Sequence, residues 1–441
     1  MLRKFLALAL LVWLLPVAAL AAPEQKVADR VFLVRDDSAK SVSFWIIVNA
    51  GFRDEADREP RGIAHYLEHL VFLGRNPDHK QISARFFPDA LANGYTTFTN
   101  TAYWQQFPVK PESMDADLEK VFRFYAERLQ DIDVSDAEAE RERNVVLQEH
   151  ELRFSRNPYV QFNNDNNHVL QPEHPVGRPS DTKEAIAAYS VAAARAFHHR
   201  FYARNNIEIV VHGPVDPEKL KALAQKYLDP LPEPKIPERE WQTTLRHFEP
   251  MDAATALADK AIRQTSVVLE KIVRFEETAR LRGNAARNLL ASYLGSRLDG
   301  SVSDELVEKQ QLASDASISF SSLGVGVLWI ALQATPAEGV RPEQLKAAME
   351  AYLANLPALG IKPATVERFR KRYKLQRDET AQDSLRSAQA LVSWFSSAGN
   401  YDDWLSREAD YAGVTVDDII PVMAALARPG RQLFGVLSPA P

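Results

Sequence analysis

Two apolar spacings alternate along this chain. Val27–Val34 and Ser41–Ala50 are rich in Val, Ile and Phe with partial alternation, which predicts two paired strands. A charged loop containing Pro60 follows. Ile63, Leu67, Leu70 and Val71 then recur at helical spacing, placing a helix within Arg61–Gly74. Gly94–Val109, rich in Thr and aromatics, reads as strand. Leu118, Val121, Phe122, Tyr125 and Leu129 predict an amphipathic helix from Pro111 to Arg128, and Asp136–Phe154 reads as a long charged helix. Asn157–Asn167, Asn-rich with Pro158, predicts an irregular, mobile loop. Ser180–Tyr202 reads as helix, with Ser180 or Asp181 as its cap, and Ile207–Val211 as a short buried strand.

Pro230, Pro232, Pro234 and Pro237 mark the best linker in the chain, assigned to residues 229–245. After it the recipe repeats. Strands are expected near Thr265–Val273 and Ala316–Ala334, with helices over Glu276–Leu294, Pro342–Asn355 and Thr365–Phe395. The fold class is α+β, with one domain over 22–228 and a second over 246–441 of similar element order, which suggests internal duplication.

Composition narrows the setting. The 441 residues are 46% hydrophobic and 25% charged, an ordinary globular balance, and a net charge of −6 gives no reason to expect nucleic acid. Arg3 and Lys4, an apolar stretch from Phe5 to Ala22 and the small-x-small Ala19-Leu20-Ala21 read as an export signal over 1–21. An uncleaved inner-membrane anchor is the competing reading; no later stretch is long and apolar enough to span a bilayer. The absence of cysteine excludes disulfides and thiolate metal sites, and suits a bacterial periplasmic protein.

The predicted helix at Arg61–Gly74 carries H-Y-L-E-H. His65 and His69, four residues apart, project from one helical face with Glu68 beside it. Two neutral imidazoles can hold zinc, and an adjacent carboxylate can take a proton from the water that zinc activates. The order H-x-x-E-H is the inverted zinc-peptidase signature. A third ligand should come from another element. In Arg141–Glu151, Glu142 and Glu149 are seven residues apart on one helical face. Spacing alone leaves Glu138, Glu142, Glu149 and Glu151 all open.

With these residues in place, the chain resembles the pitrilysin/insulinase family of inverted-motif zinc peptidases, and particularly its half-length bacterial members related to mitochondrial processing peptidase. GIAHYLEHLVFLG is similar to that family's helix, and VVLQEHE, with Glu149 80 residues after His69, to the segment bearing its third ligand. ANGYTTFTNTAYW resembles its substrate-pairing edge strand, and GRPSDTKEAIAAYSVAAARAFHHRFYARNNIEIVVHGPVD the close of its first domain. The resemblance implies two homologous α/β-sandwich domains, each a mainly antiparallel sheet with helices packed on it. It implies one zinc per chain on His65, His69 and Glu149, with Glu68 as general base and Glu142 supporting the site. It further implies a peptide substrate paired along Asn93, Gly94, Tyr95 and Thr96.

One departure stands out. Active members often carry an arginine and, seven residues on, a tyrosine in the second domain; the matching places here are Val307 and Ser314. Neither offers a comparable donor to a developing oxyanion. The expectation is therefore a zinc-bearing endopeptidase subunit paired with a sister chain that supplies the arginine and tyrosine, or a homodimer. A non-catalytic peptide-binding or assembly subunit is the alternative. His168, His174, His198, His199 and His212 read as surface or packing histidines.

Overall fold

The computed structural model describes residues 24–441 apart from 58, 74–90, 154–155, 240–244, 246–247, 276–279, 325 and 398. The expected export signal lies outside the described residues. No helix among them is long and apolar enough to cross a membrane.

The strands are β1 (Gln25–Ala28), β2 (Val31–Arg35), β3 (Ser41–Val48), β4 (Leu91–Thr96), β5 (Thr101–Pro108), β6 (Ile207–Gly213), β7 (Met251–Asp259), β8 (Ser266–Arg274), β9 (Ala313–Ser322), β10 (Val327–Pro336) and β11 (Arg431–Pro439). The first-half helices are α1 (Ile63–Val71), α2 (Met114–Gln130), α3 (Asp136–Arg153), α4 (Pro158–Leu170), α5 (Lys183–Ala187), α6 (Val191–Phe201) and α7 (Pro217–Tyr227). The second half has α8 (Arg280–Leu294), α9 (Pro342–Leu359), α10 (Pro363–Ala381), α11 (Ser384–Ser396), α12 (Tyr401–Gly413) and α13 (Val416–Ala427).

Two sheets form, in the orders β1-β2-β6-β3-β5-β4 and β7-β11-β8-β10-β9. Their winding is the same. With β1 set aside as an added edge strand, the last strand of each half inserts beside the first and parallel to it, β6 to β2 and β11 to β7, and the remaining pairs are antiparallel. The duplication read from element order is thus a duplication of topology. The same insertion corrects the expected pairing of 27–34 with 41–50. β6, buried along its whole length, separates β2 from β3.

Both faces of each sheet are covered, which explains the near-continuous apolar runs VFLV and IVV. On the first sheet, Leu33, Phe44 and Ile46 meet Leu67, Phe122 and Phe197 of α1, α2 and α6. Phe32, Ile47 and Val210 point the other way, onto Leu391 and Phe395 of α11 from the second half. The exchange is reciprocal. α4, from the first half, lays Phe162 against Val268 and Leu437, and Leu170 against Ile272 and Leu433, of the second sheet. Each half therefore lends one helix to close the other's sheet.

α4 occupies the stretch read as a mobile loop. Pro158 stands in its first turn behind an Asn157 cap that accepts from the Tyr159 amide, and Phe162, Asn166 and Leu170 form one buried stripe. Asn166, fully buried, donates to Glu270 at 3.3 Å and accepts from Thr255. Tertiary packing overrides the poor helix propensity of the asparagines. Two further segments read as single helices are broken. Ser180–Tyr202 divides into α5 and α6 at the Ser190 cap, and Thr365–Phe395 into α10 and α11 at the Asp383 cap.

Candidate active site

α1 carries the inverted motif on a helix whose other residues anchor it. Ile63, Ala64, Leu67, Leu70 and Val71 are buried, which turns His65 and His69 toward a cleft. Its N-terminus is closed by the buried Glu55 carboxylate, which accepts from the Gly62 amide at 3.0 Å and the Ala64 amide at 3.1 Å and pairs with Arg61. Gly62, at φ 100°, has no room for a side chain beneath Tyr189 and Asp181.

The two imidazoles converge. Their Nε2 atoms lie 3.3 Å apart, and Glu149 Oε2 of α3 stands 3.8 Å from His65 Nε2 and 4.0 Å from His69 Nε2. Each ring is held from behind by a carboxylate that accepts its Nδ1 proton. Glu142 Oε1 lies 2.7 Å from His69 Nδ1, and Asp181 Oδ2 lies 3.2 Å from His65 Nδ1. These bonds leave both Nε2 lone pairs facing each other and a carboxylate oxygen, an arrangement that a cation relieves. Ligand atoms about 2.0–2.1 Å from a tetrahedral zinc stand roughly 3.3 Å from one another. The histidine pair matches that edge as it stands, and the carboxylate is somewhat wide of it, so the donor set fits zinc.

Glu68 is buried beside the pair, 6% exposed, and accepts a 3.0 Å hydrogen bond from the Thr96 hydroxyl. Burial raises its pKa above the ordinary value, against the lowering effect of His65, His69 and Thr96. For His65 burial opposes the charged form, but the hydrogen bond and charge of Asp181, with Glu68 and Glu149, leave its pKa raised.

The cleft, about 390 Å³, brings together every residue expected of the site: His65, Glu68, His69, Asn93, Gly94, Tyr95, Thr96, Glu142 and Glu149. Strand alternation divides the edge-strand residues. Gly94 and Thr96 face Glu68, whereas Tyr95 bonds Ser396 of α11. Among the described residues β4 is the last strand of its sheet, paired on one side only, by β5. Sequence reasoning missed Asp181, which it treated as a possible helix cap. Thr182 caps α5 instead, accepting from the Ala185 amide. The missed apolar walls, Phe52, Phe72 and Val145, carried no signal apart from their neighbours.

Among the described residues the cleft is walled only by the first half. Val307 packs partly buried against the second core, and Ser314, exposed on β9, has its hydroxyl 3.4 Å from the Thr335 carbonyl. The five histidines read as surface or packing residues have other partners. His198 reaches the Arg128 carbonyl, His168 the Gly177 carbonyl and His212 the Ser384 hydroxyl, and His174 accepts from the Val176 amide. His199 lies 3.5 Å from Asp131. Asp131, His198 and His199 do stand close enough to share a cation, but the Asp131 oxygen is already engaged by Arg195 at 3.0 Å.

A duplicated α+β fold with an inverted H-x-x-E-H helix on its first sheet defines a class of zinc peptidase-like proteins. Two family models match this chain, "Insulinase (Peptidase family M16)" over residues 30–171 and "Peptidase M16 inactive domain" over residues 188–373. The chain belongs to the pitrilysin/insulinase family. It is 28% identical to the probable zinc protease PqqL of Escherichia coli over 219 residues, 46% of this chain and 22% of that one. It is 27% identical to the zinc protease PqqE of Helicobacter pylori over 284 residues, 62% of this chain and 60% of that one. It thus spans less than two thirds of the length of these relatives. Among solved structures, a protease from Helicobacter pylori superposes with a TM-score of 0.73 at 20% identity, over 93% of this chain and 97% of the other. The periplasmic protease PqqL from Escherichia coli gives 0.73 at 16% identity, over 94% of this chain and 47% of the other. These structural likenesses speak for the fold.

Proposed function

We propose that this chain is a zinc-dependent endopeptidase subunit acting on peptides or unfolded segments in the periplasm. The observation that carries the reading is the convergence of His65 Nε2, His69 Nε2 and Glu149 Oε2 beside a buried carboxylate, Glu68. His65, His69 and Glu149 hold one zinc ion, which when bound supplies Lewis acidity to water and to the scissile carbonyl. Glu142 holds the His69 ring in place. Glu68 takes the proton of the attacking water and returns it to the leaving amine. The Thr96 hydroxyl keeps one Glu68 oxygen oriented. An extended substrate adds along the open edge of β4, through main-chain hydrogen bonds that tolerate varied side chains.

Periplasmic location rests on the signal-like first 21 residues and on the description of the Escherichia coli relative as periplasmic. The partner is a sister chain that supplies the arginine and tyrosine this second domain lacks at Val307 and Ser314. The test is peptide cleavage by the purified chain alone and mixed with a related chain from the same source, with and without a zinc chelator. Cleavage that requires both chains, stops with chelator and returns with zinc supports the reading. Full chelator-resistant activity would overturn the metal assignment, and full activity of the chain alone would overturn the pairing.

A further inference from the structure

A carboxylate that the sequence offered only as a helix cap stands behind the first histidine. Asp181 is 5% exposed and belongs to neither α1 nor α3, the two helices that carry the proposed ligands. Its oxygens divide their work. Oδ2 meets His65 Nδ1 at 3.2 Å, and Oδ1 accepts from the Tyr189 hydroxyl at 2.6 Å. Its amide donates to the Arg61 carbonyl at 3.1 Å, and the Tyr189 hydroxyl oxygen, whose one proton goes to Asp181, stands 2.9 Å from the same carbonyl. The corner is thus tied to the segment that starts α1 through both its side chain and its backbone.

The backbone conformation is unusual. Asp181 has φ 54°, one of three positive values among described non-glycine residues. Asparagine and aspartate tolerate this region better than most side chains, but glycine is the residue it favours. Asp181 is not retained there as a helix cap, because Thr182 performs that role. Directly across from it, Gly62 leaves the space that lets Asp181 and Tyr189 approach α1. A side chain placed against conformational preference, buried and aimed at an imidazole nitrogen, calls for a reason in the site itself.

We propose that Asp181 is the positioning residue for His65: its carboxylate takes the Nδ1 proton and fixes the ring so that Nε2 faces the metal. Asp181 then does for His65 what Glu142 does for His69, and the two histidines are oriented independently, from different elements. Partners of this kind fix tautomer and ring orientation and raise ligand basicity. The inference rests on the zinc reading above.

The test compares wild type with Asp181→Gly, Asp181→Asn and Tyr189→Phe, measuring zinc dissociation constants by chelator competition and the visible spectrum of the cobalt-substituted protein. Asp181→Gly is the informative variant, because glycine suits φ 54° and the carboxylate is lost without adding strain. It should bind zinc about 10–100-fold more weakly and alter the cobalt spectrum. Asp181→Asn, which keeps a neutral acceptor, should recover part of that loss, and Tyr189→Phe should show a smaller change in the same direction. Thermal unfolding of the zinc-free proteins should be nearly unchanged for Asp181→Gly. Zinc affinity within about twofold of wild type, with an unaltered cobalt spectrum, would overturn the role of Asp181 and leave the zinc reading intact. A wild-type chain that binds no zinc would overturn both.

Discussion

Replacing Gly94 with alanine inserts one methyl group between the edge strand β4 and the proposed general base. An ideal Cβ there stands 2.7 Å from Glu68 Oε1, 3.0 Å from Phe72 Cε2 and 3.2 Å from Glu68 Cδ. The closest approach is roughly 0.7 Å inside ordinary van der Waals contact. The crowded atom is the end of a flexible side chain, so the fold can relieve the overlap by swinging the Glu68 carboxylate aside. That movement breaks its 3.0 Å bond from Thr96. We therefore expect a small loss of stability, about 1 kcal/mol, at the low end of overpacking costs. A displacement approaching 1 Å at a catalytic group costs about 100-fold in rate. Zinc content should not change, because the nearest atoms to the new methyl belong to Glu68 and Phe72 and not to the proposed ligands. The assay is kcat for a quenched fluorescent peptide alongside zinc content and thermal unfolding. Cleavage within about threefold of wild type at normal zinc content would refute the argument that Gly94 sets the position of Glu68.

Phe162→Ala removes the anchor by which α4 closes the second sheet; at 6% exposure it should cost about 3–5 kcal/mol in denaturant unfolding, and a loss under about 1 kcal/mol would mean the exchanged helix contributes little. Glu270 gives a pH dependence. Burial pushes its carboxyl up to about 6 from an ordinary 4.5, against hydrogen bonds from Asn166 and Trp329. The folded state thus binds the proton more tightly than the unfolded one, so this contribution is full below 4.5 and is lost as pH rises through about 6. The difference amounts to about 2 kcal/mol. Glu270→Gln should be more stable than wild type by about that amount at neutral pH, and equal to it in acid, when unfolding is followed across this range. A constant difference at every pH would contradict the assignment.

Much of the site was legible because its parts are local. His65, Glu68 and His69 share one turn of helix, and the seven-residue spacing of Glu142 and Glu149 put both on one face of α3. Resemblance then ranked the two glutamates. Asp181 was not legible, since its partner is 116 residues away and its neighbours read as a helix start. The exchange of α4 and α11 was hidden for a related reason. Asn-rich α4 looks polar in sequence, and only contact with Val268, Leu437 and the buried Glu270 explains its helix. β7 escaped notice because Met251–Asp259 is mostly alanine and polar residues, a weak strand pattern that its parallel partner β11 completes. Local periodicity reports single elements; which element covers which sheet is decided by contacts distant in sequence.

The central claim is that His65, His69 and Glu149 hold zinc while Glu68 handles the proton. The most direct measurement is zinc content and peptide cleavage of Glu68→Gln against wild type, in the assembly that shows activity. The account predicts one zinc per chain in both proteins and a fall in cleavage of about 100-fold or more in the variant. Equal cleavage by both would contradict the role of Glu68, and loss of zinc from the variant would contradict its separation from the ligands.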